Sequence, residues 1–381
     1  MRAKELLSKL VAFDSTSHLS NTEVVDFLAG HVRSLGFEIK LDAVNDDNGV
    51  EKVNLIATAG PSARNKGASE RGLAFVGHTD CVPFDPEWKD ALTLVEKDGR
   101  LYARGAADTK GFIAAAIAAV EDLDLAKLTR PLSLVFTHDE EIGCLGAKRL
   151  AKENAVSASY AIVGEPTSLK PIRAHKGYCM AEITLHGKEG HSAYPDVGIN
   201  AIFRAARLLS RIEGIAVKLK EQTDAAFTPP YTTLNVGKIE GGKAKNIIPG
   251  LCTFTLEWRP IPGQDVEAVY ERVVEAAEAL HKEDRTFECE MELVRKDAGT
   301  ATRPDSALVK FLEEATGFES GTISFGTEAP EMAALGAEPV VCGPGDIKVA
   351  HRTGEFVPML ELGRAVEIYQ QAIKRFCIQD A

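Results

Sequence analysis

Apolar residues recur at helical spacing from the start of the chain: Leu6, Leu7 and Leu10, then Val24, Val25, Phe27, Leu28, Val32 and Leu35. The polar break Asp46-Asp47-Asn48-Gly49 precedes a run from Val53 to Thr58 that predicts a strand. A loop rich in Gly, Ser and charge, 59–72, separates it from a second strand, Leu73 to Val76, which runs into Gly77-His78-Thr79-Asp80. Gly111 to Val120 is filled almost all round by Ala and Ile, the pattern of a helix buried on most sides. Leu132 to Thr137 and Tyr160 to Val163 predict short buried strands, with a helix near Leu145 to Lys152 between them. Strands alternating with helices predict an α/β domain, a mostly parallel sheet between helices.

After His175 the pattern changes. A strand over Gly177–His186, a helix over Ile199–Ile212, strands over Tyr231–Ile239 and Leu251–Arg259, a helix over Val266–His281 and a strand over Phe287–Val294 follow in turn. The order βαββαβ is the split-βαβ, ferredoxin-like arrangement. From about Ser306 the α/β character resumes, with a helix, a strand at Glu338–Cys342 and a closing helix over Leu360–Phe376. The expected organisation is an α/β domain of residues 1–174 and 289–381 interrupted by an inserted α+β ferredoxin-like domain, 175–288.

Composition removes several function classes. The 381 residues are 45% hydrophobic and 26% charged, an ordinary soluble mix, with a net charge of -12. That balance argues against nucleic acid or an anionic membrane surface as partner, since both need clustered cations. No apolar stretch approaches the roughly 20 residues of a membrane span. Seven scattered cysteines without a C-x-x-C pair suit reduced thiols, and the start of the chain does not read as a signal peptide. A cytoplasmic address is expected.

The chemistry-bearing residues follow predicted strands. His78 and Asp80 come after the strand ending at Val76, and Asp108 lies just before the buried helix. Asp139-Glu140-Glu141 follows the strand 132–137, Glu165 follows the next, and His351 lies far downstream. Ligands of open α/β sheets bind outside the carboxyl ends of the strands, so one rim would gather imidazoles and carboxylates. Carboxylates brought close raise one another's pKa unless a cation neutralises them. Imidazoles among hard oxygen donors suit Zn²⁺, Co²⁺ or Mn²⁺ in an open, thiolate-free site. Each residue also has an ordinary account. Asp108 could cap the following helix, and Glu140-Glu141 could complement a helix N-terminus. No G-x-S-x-G, Walker A, G-x-G-x-x-G or H-E-x-x-H motif competes.

Five stretches occur in a fixed order: Gly77-His78-Thr79-Asp80-Cys81-Val82-Pro83, Gly105-Ala106-Ala107-Asp108-Thr109-Lys110-Gly111, Asp139-Glu140-Glu141, Gly164-Glu165-Pro166 and Gly190-His191-Ser192-Ala193-Tyr194-Pro195. Together they resemble the M20 metallopeptidase and deacylase family along the whole chain. Glu165 to Gly177, Trp258 to Gly263, Gly326 to Pro330 and Gly343 to Ile347 resemble most the branch that deacetylates N-acetyl-L-ornithine. Desuccinylases of the family carry Ser-Asp where this chain has Thr327-Glu328-Ala329. The chain departs from the family at Lys89-Asp90-Ala91-Leu92, where Asp-Pro-Phe is common.

The resemblance implies two divalent metal ions, Zn²⁺ first and Co²⁺ as the alternative, bridged by Asp108. His78 and Glu165 would hold one ion, Glu141 and His351 the other. Glu140 would be general base and later proton donor, and Asp80 would hydrogen-bond the far nitrogen of His78. His191, from the inserted lid and dimerisation domain, would stabilise the oxyanion, contributed in trans within a homodimer. Arg259 would take the substrate carboxylate, with Asn246 adding an amide contact. Glu328 would face the cationic end of an ornithine-like substrate or cap the helix after it. The implied activity is hydrolysis of the amide of a small N-acyl amino acid, N-acetyl-L-ornithine giving ornithine and acetate. The rivals are a desuccinylase or other deacylase and a non-catalytic binding protein on the same fold.

Overall fold

A computed structural model describes residues 2–61 and 71–378. Most of the polar loop expected over 59–72 lies outside the described residues. The chain divides into two compact units: residues 1–173, 302–321 and 327–381 form the first, and 174–301 with 322–326 the second.

The first unit is built on a mixed sheet. Its strands run in the order Glu38–Asn45, Glu51–Ala59, Leu132–Thr137, Leu73–His78, Tyr160–Pro166 and Glu338–Gly343. The last four are mutually parallel, whereas the first two join antiparallel at one edge. Every residue of Leu73–His78 and Leu132–Thr137 is buried, as strands covered on both faces require. Leu73, Phe75, Leu132, Leu134 and Phe136 share one apolar core with helices Arg2–Val11, Lys110–Val120 and Met359–Ile373. Ala74, Val76 and Val135 alternate with them and are also buried, so both faces are packed. Phe75, Phe112 and Tyr369 meet at the centre, with ring centroids 5.1–6.4 Å apart. All eleven residues of Lys110–Val120 are buried, which explains its lack of a polar face.

The second unit is a four-stranded antiparallel sheet in the order Thr233–Gly241, Leu251–Arg259, Tyr178–His186 and Glu288–Asp297. Helices Ala201–Leu219 and Ala268–Glu283 complete the βαββαβ order, and their apolar faces share a core with Ile183, Leu185, Leu256 and the fully buried Trp258. The expected return to the first unit at residue 289 falls instead at 302. Strand Glu288–Asp297 pairs along its length with Tyr178–His186 and is the fourth strand of the inserted sheet.

The strand Glu38–Asn45 and the hairpin Val95–Lys97 with Arg100–Tyr102 were not expected from the sequence. Glu38–Asn45 is an edge strand with only Asp42 buried, so burial imposes no apolar alternation on it. No helix among the described residues is long and apolar enough to cross a membrane.

Candidate metal centre

The carboxyl ends of the parallel strands carry the site. His78 ends one strand and Glu165 sits near the end of its neighbour, each preceded by a glycine. A β-carbon on Gly77 would lie 2.9 Å from the Phe112 ring, and one on Gly164 only 2.3 Å from it. Glycine therefore lets the helix Lys110–Val120 approach both strand ends, bringing the Asp108 loop against His78 and Glu165. The Thr109 hydroxyl donates to the Gly164 carbonyl at 3.0 Å and ties that loop down.

Asp108 is the hub. Its Oδ1 lies 3.1 Å from His78 Nε2, and its Oδ2 lies 3.0 Å from His351 Nε2. His351 Nε2 is also 3.0 Å from Glu141 Oε2. The carboxylate thus offers one oxygen to each of two imidazoles and does not cap the helix, whose N-cap residue is Thr109. One ligand atom each from His78, Glu140 and Glu165 lie within 4.8 Å of one another, and so do atoms from His78, Asp108 and Glu141. Glu140 therefore stands within ligand range as well as beside Glu141.

The electrostatics favour a cation here. Burial, then the charges of Asp108 and Glu140, push Glu165 well above the ordinary carboxyl value. Burial pushes Glu140 up to about 8, despite the pull of His78. Burial and the Asp108 charge raise Glu141 as well. Asp108 is held low although burial opposes it, because His351 and His78 hydrogen-bond to it. The His351 ring is raised to about 10 by its bonds to Asp108 and Glu141. Four acids gathered with two imidazoles are a self-repelling set until divalent charge is added, and the N/O donor chemistry fits divalent ions. The site residues fit a metal pair.

A shell of buried groups holds the donors. His78 Nδ1 contacts the Asp80 carbonyl at 3.0 Å, with the Asp80 carboxylate farther away at 3.5 Å. The Asp80 backbone thus shares His78 Nδ1 with the carboxylate expected there, and makes the shorter contact. The carboxylate also accepts from the Ser17 hydroxyl (2.8 Å) and from the backbone N–H groups of Glu140 (3.1 Å) and Glu141 (3.3 Å). Buried Lys52 donates to Asp139 at 2.8 Å and to the carbonyls of Ser17 and Leu19, and His138 Nδ1 lies 3.0 Å from Asp139. Asp139 (φ 53°), Cys144 (φ 55°) and His351 (φ 59°) adopt the left-handed backbone region, which non-glycine residues hold only where surroundings enforce it. Neither Ser17 nor Lys52 belongs to a ligand motif, so the sequence does not single them out.

Glu328 is 1% exposed, and its Oε1 has no hydrogen-bond partner among the described residues. Burial pushes it up to about 7. Glu328 occupies the N-cap position of the helix Ala329–Ala334 but its side chain makes no capping bond there; the Ala329 N–H donates to the Thr327 hydroxyl at 3.1 Å.

His191, Asn246 and Arg259 belong to the second unit. His191 pairs with Ile247 in a short antiparallel ladder, and its Nδ1 accepts the Ala193 N–H at 3.1 Å. That bond leaves the neutral ring's proton on Nε2. The Asn246 carbonyl accepts the Ser192 N–H at 3.1 Å. Arg259 donates from Nε to Glu257 (2.8 Å) and from Nη1 to the Ser324 carbonyl (3.0 Å), and its guanidinium lies 4.5 Å from the Tyr178 ring centre.

Residues 74–375 match the model of peptidase family M20/M25/M40. The chain belongs to this family. It is 52% identical over 372 residues to the acetylornithine deacetylase of Myxococcus xanthus, covering 97% of this chain and 96% of the relative. It is 36% identical to the acetylornithine deacetylase of Proteus mirabilis over 97% of this chain and 94% of that one. Its fold is that of a tripeptidase from Staphylococcus aureus (TM-score 0.79, 23% identity, 98% and 97% of the two chains). It also matches a dinuclear metal-binding peptidase of the family from Bacillus subtilis (TM-score 0.68, 15% identity, 98% of each chain). Family and donor set together support two divalent ions as the cofactor of this hydrolase.

Proposed function

We propose that this chain hydrolyses the amide of N-acetyl-L-ornithine to L-ornithine and acetate, a step of arginine biosynthesis. One observation carries the reading: Asp108 turns its two oxygens toward two different histidines, the arrangement a bridging carboxylate needs. The 52% identity to an acetylornithine deacetylase supports the choice of substrate. His78 and Glu165 are assigned to one ion, His351 and Glu141 to the other. Zn²⁺ is the proposed metal, with Co²⁺ accepted by the same donors. When bound, such a pair lowers the pKa of water and polarises the scissile carbonyl.

Glu140 takes the proton of the attacking water and delivers it to the departing amine. Its place beside His78 and Glu165, next in sequence to the proposed ligand Glu141, puts a carboxylate within reach of both the water and the leaving nitrogen. The Nε2–H of His191 donates to the developing oxyanion. Arg259 and Asn246 receive the amino-acid carboxylate, and Glu328 supplies an anionic partner for the substrate's ammonium group.

The proposed assembly is a homodimer with His191 acting in trans. The inserted unit leaves Tyr194, Phe203, Ile239 and Leu251 exposed, and a cleft of about 770 Å³ there is lined by Ser192, Phe203 and Ile247. Exposed apolar groups beside an open sheet edge suit a second copy of the chain. All seven cysteines are free, which fits the reducing cytoplasm proposed as its location.

Steady-state kinetics with defined Zn²⁺ loading test the reading on N-acetyl-L-ornithine, N-succinyl-L,L-diaminopimelate and other N-acyl amino acids. A kcat/KM for the acetyl substrate at least about tenfold above the others is expected. Faster turnover of the succinyl substrate overturns the assignment.

A further inference from the structure

Four residues beyond His351 lies a carboxylate that no part of the proposed reaction uses. Glu355 is fully buried, and a single oxygen, Oε1, accepts two consecutive backbone N–H groups, those of Ala107 and Asp108, both at 3.0 Å. Its other oxygen meets Arg104 Nη1 at 2.5 Å, and the Glu355 carbonyl accepts the Ala103 N–H at 3.2 Å. Arg104 is itself buried, its guanidinium 5.5 Å from the Trp88 ring centre and bonded to the Pro83 carbonyl. Immediately beyond, Phe356–Pro358 pairs antiparallel with Arg100–Tyr102. The segment bearing His351 and the loop bearing Asp108 are therefore tied together by the side chain and carbonyl of Glu355 and braced by a short ladder.

The geometry leads us to infer that Glu355 is a positioning residue that sets the spacing between Asp108 and His351 and so determines binding of the second divalent ion. The inference rests on the two-metal reading above. His78 and Glu165 sit on sheet strands and keep their places without Glu355. His351 sits on a turn with φ 59°, part of no strand or helix, and its approach to Asp108 depends on what holds that turn. A buried acceptor serving two N–H groups at once fixes the Asp108 backbone more firmly than a helix cap would. Arg104, bonded to the other oxygen, fixes the direction in which the carboxylate points.

Two variants separate reach from charge. E355D keeps the anion for Arg104 but withdraws the acceptor by one methylene, whereas E355Q keeps an oxygen at full reach and loses the charge. Metal-free protein is titrated with Zn²⁺ or Co²⁺, and stoichiometry and affinity are read by equilibrium dialysis and by the cobalt absorption spectrum. E355D is expected to bind the first ion like the parent and the second at least about tenfold more weakly, with E355Q between them. Two ions held by E355D with parental affinity overturn the role of Glu355. Parental protein that binds only one ion refutes the two-metal reading instead, so the two failures are distinguishable. If E355Q fails to fold because Arg104 is left unpaired, E355D, which keeps that pair, still decides.

Discussion

Asp80 accepts the backbone N–H of Glu140 at 3.1 Å, so the carboxylate beside His78 also holds the turn that carries the proposed base. Its partner oxygen takes the Ser17 hydroxyl and the Glu141 N–H. Asp80→Asn keeps one oxygen acceptor but loses the charge that supports the imidazole and both turn N–H groups. The expected result is a kcat lower by about 10–100-fold with metal affinity reduced as well, because such supporting groups typically carry that much. Kinetics at saturating metal together with a Zn²⁺ titration check it. Unchanged values in both would leave Asp80 with no more than a packing role.

Glu140→Gln removes the proton acceptor while preserving shape. The variant should keep both ions and a KM within a few-fold of the parent, and lose about 10²–10⁴-fold in kcat, the usual contribution of general acid–base catalysis. Loss of a bound ion from this variant would mark Glu140 as a ligand, a role its distance to His78 and Glu165 also permits. Metal analysis of the purified variant separates the two.

The parts of this molecule that were legible in the sequence are those whose signal is local. Leu132–Thr137 and Leu251–Arg259 read as strands because burial dictates their composition. His78, Asp108, Glu141 and His351 meet because parallel strands end at one rim, a consequence of topology that strand–helix alternation reveals. Lys52 and Glu355 were silent for the opposite reason. Each acts by pairing with residues 87 and more than 240 positions away, and no spacing along the chain announces such a bond. The boundary set at 288 cuts off the strand that the βαββαβ order itself requires; that strand, Glu288–Asp297, pairs with Tyr178–His186 and carries the second unit on to 301.

Removing metal should destabilise the protein measurably. In its absence Asp108, Glu140, Glu141 and Glu165 share a confined space with only two imidazoles to offset them. Zn²⁺ at about 100 times its dissociation constant should stabilise the folded state by about 2.7 kcal/mol per site, seen as a rise in Tm over chelated protein. His351→Ala should bind one ion and show roughly half that gain. A Tm indifferent to Zn²⁺ would contradict a metal centre built from these residues.

His175 predicts an acid-sensitive step independent of the metal centre. The ring is 1% exposed, its Nδ1 lies 2.8 Å from the Lys176 carbonyl, and burial lowers its pKa from 6.5 to about 4. Above pH 6.5 the ring is neutral in both folded and unfolded chains and costs nothing. As pH falls from 6.5 toward 4 the unfolded chain takes up a proton that the folded one refuses, so stability drops by about 1.4 kcal/mol per unit. Urea unfolding at pH 7, 5.5 and 4.5 should show a shallower pH dependence for His175→Gln than for the parent. Parallel curves would mean that the folded ring is protonated freely.

Gly164→Ala tests how the sheet presents its ligands. A β-carbon there would lie 2.3 Å from two Phe112 ring atoms, far inside contact distance, and Phe112 is fully buried between the sheet and the helix Lys110–Val120. The ring cannot swing aside, because Phe75 and Tyr369 pack against it. The helix must therefore retreat from the strand end, at about 1–3 kcal/mol for overpacking a filled core. The Asp108 loop leads into that helix and Glu165 follows Gly164 directly, so retreat widens the gap between two proposed ligands of one ion. Gly164→Ala should lose Zn²⁺ affinity as well as stability, whereas Phe112→Leu/Gly164→Ala, with room restored, should recover both in part. A destabilised single variant that binds Zn²⁺ like the parent would show that the site is held by its own hydrogen bonds rather than by this packing.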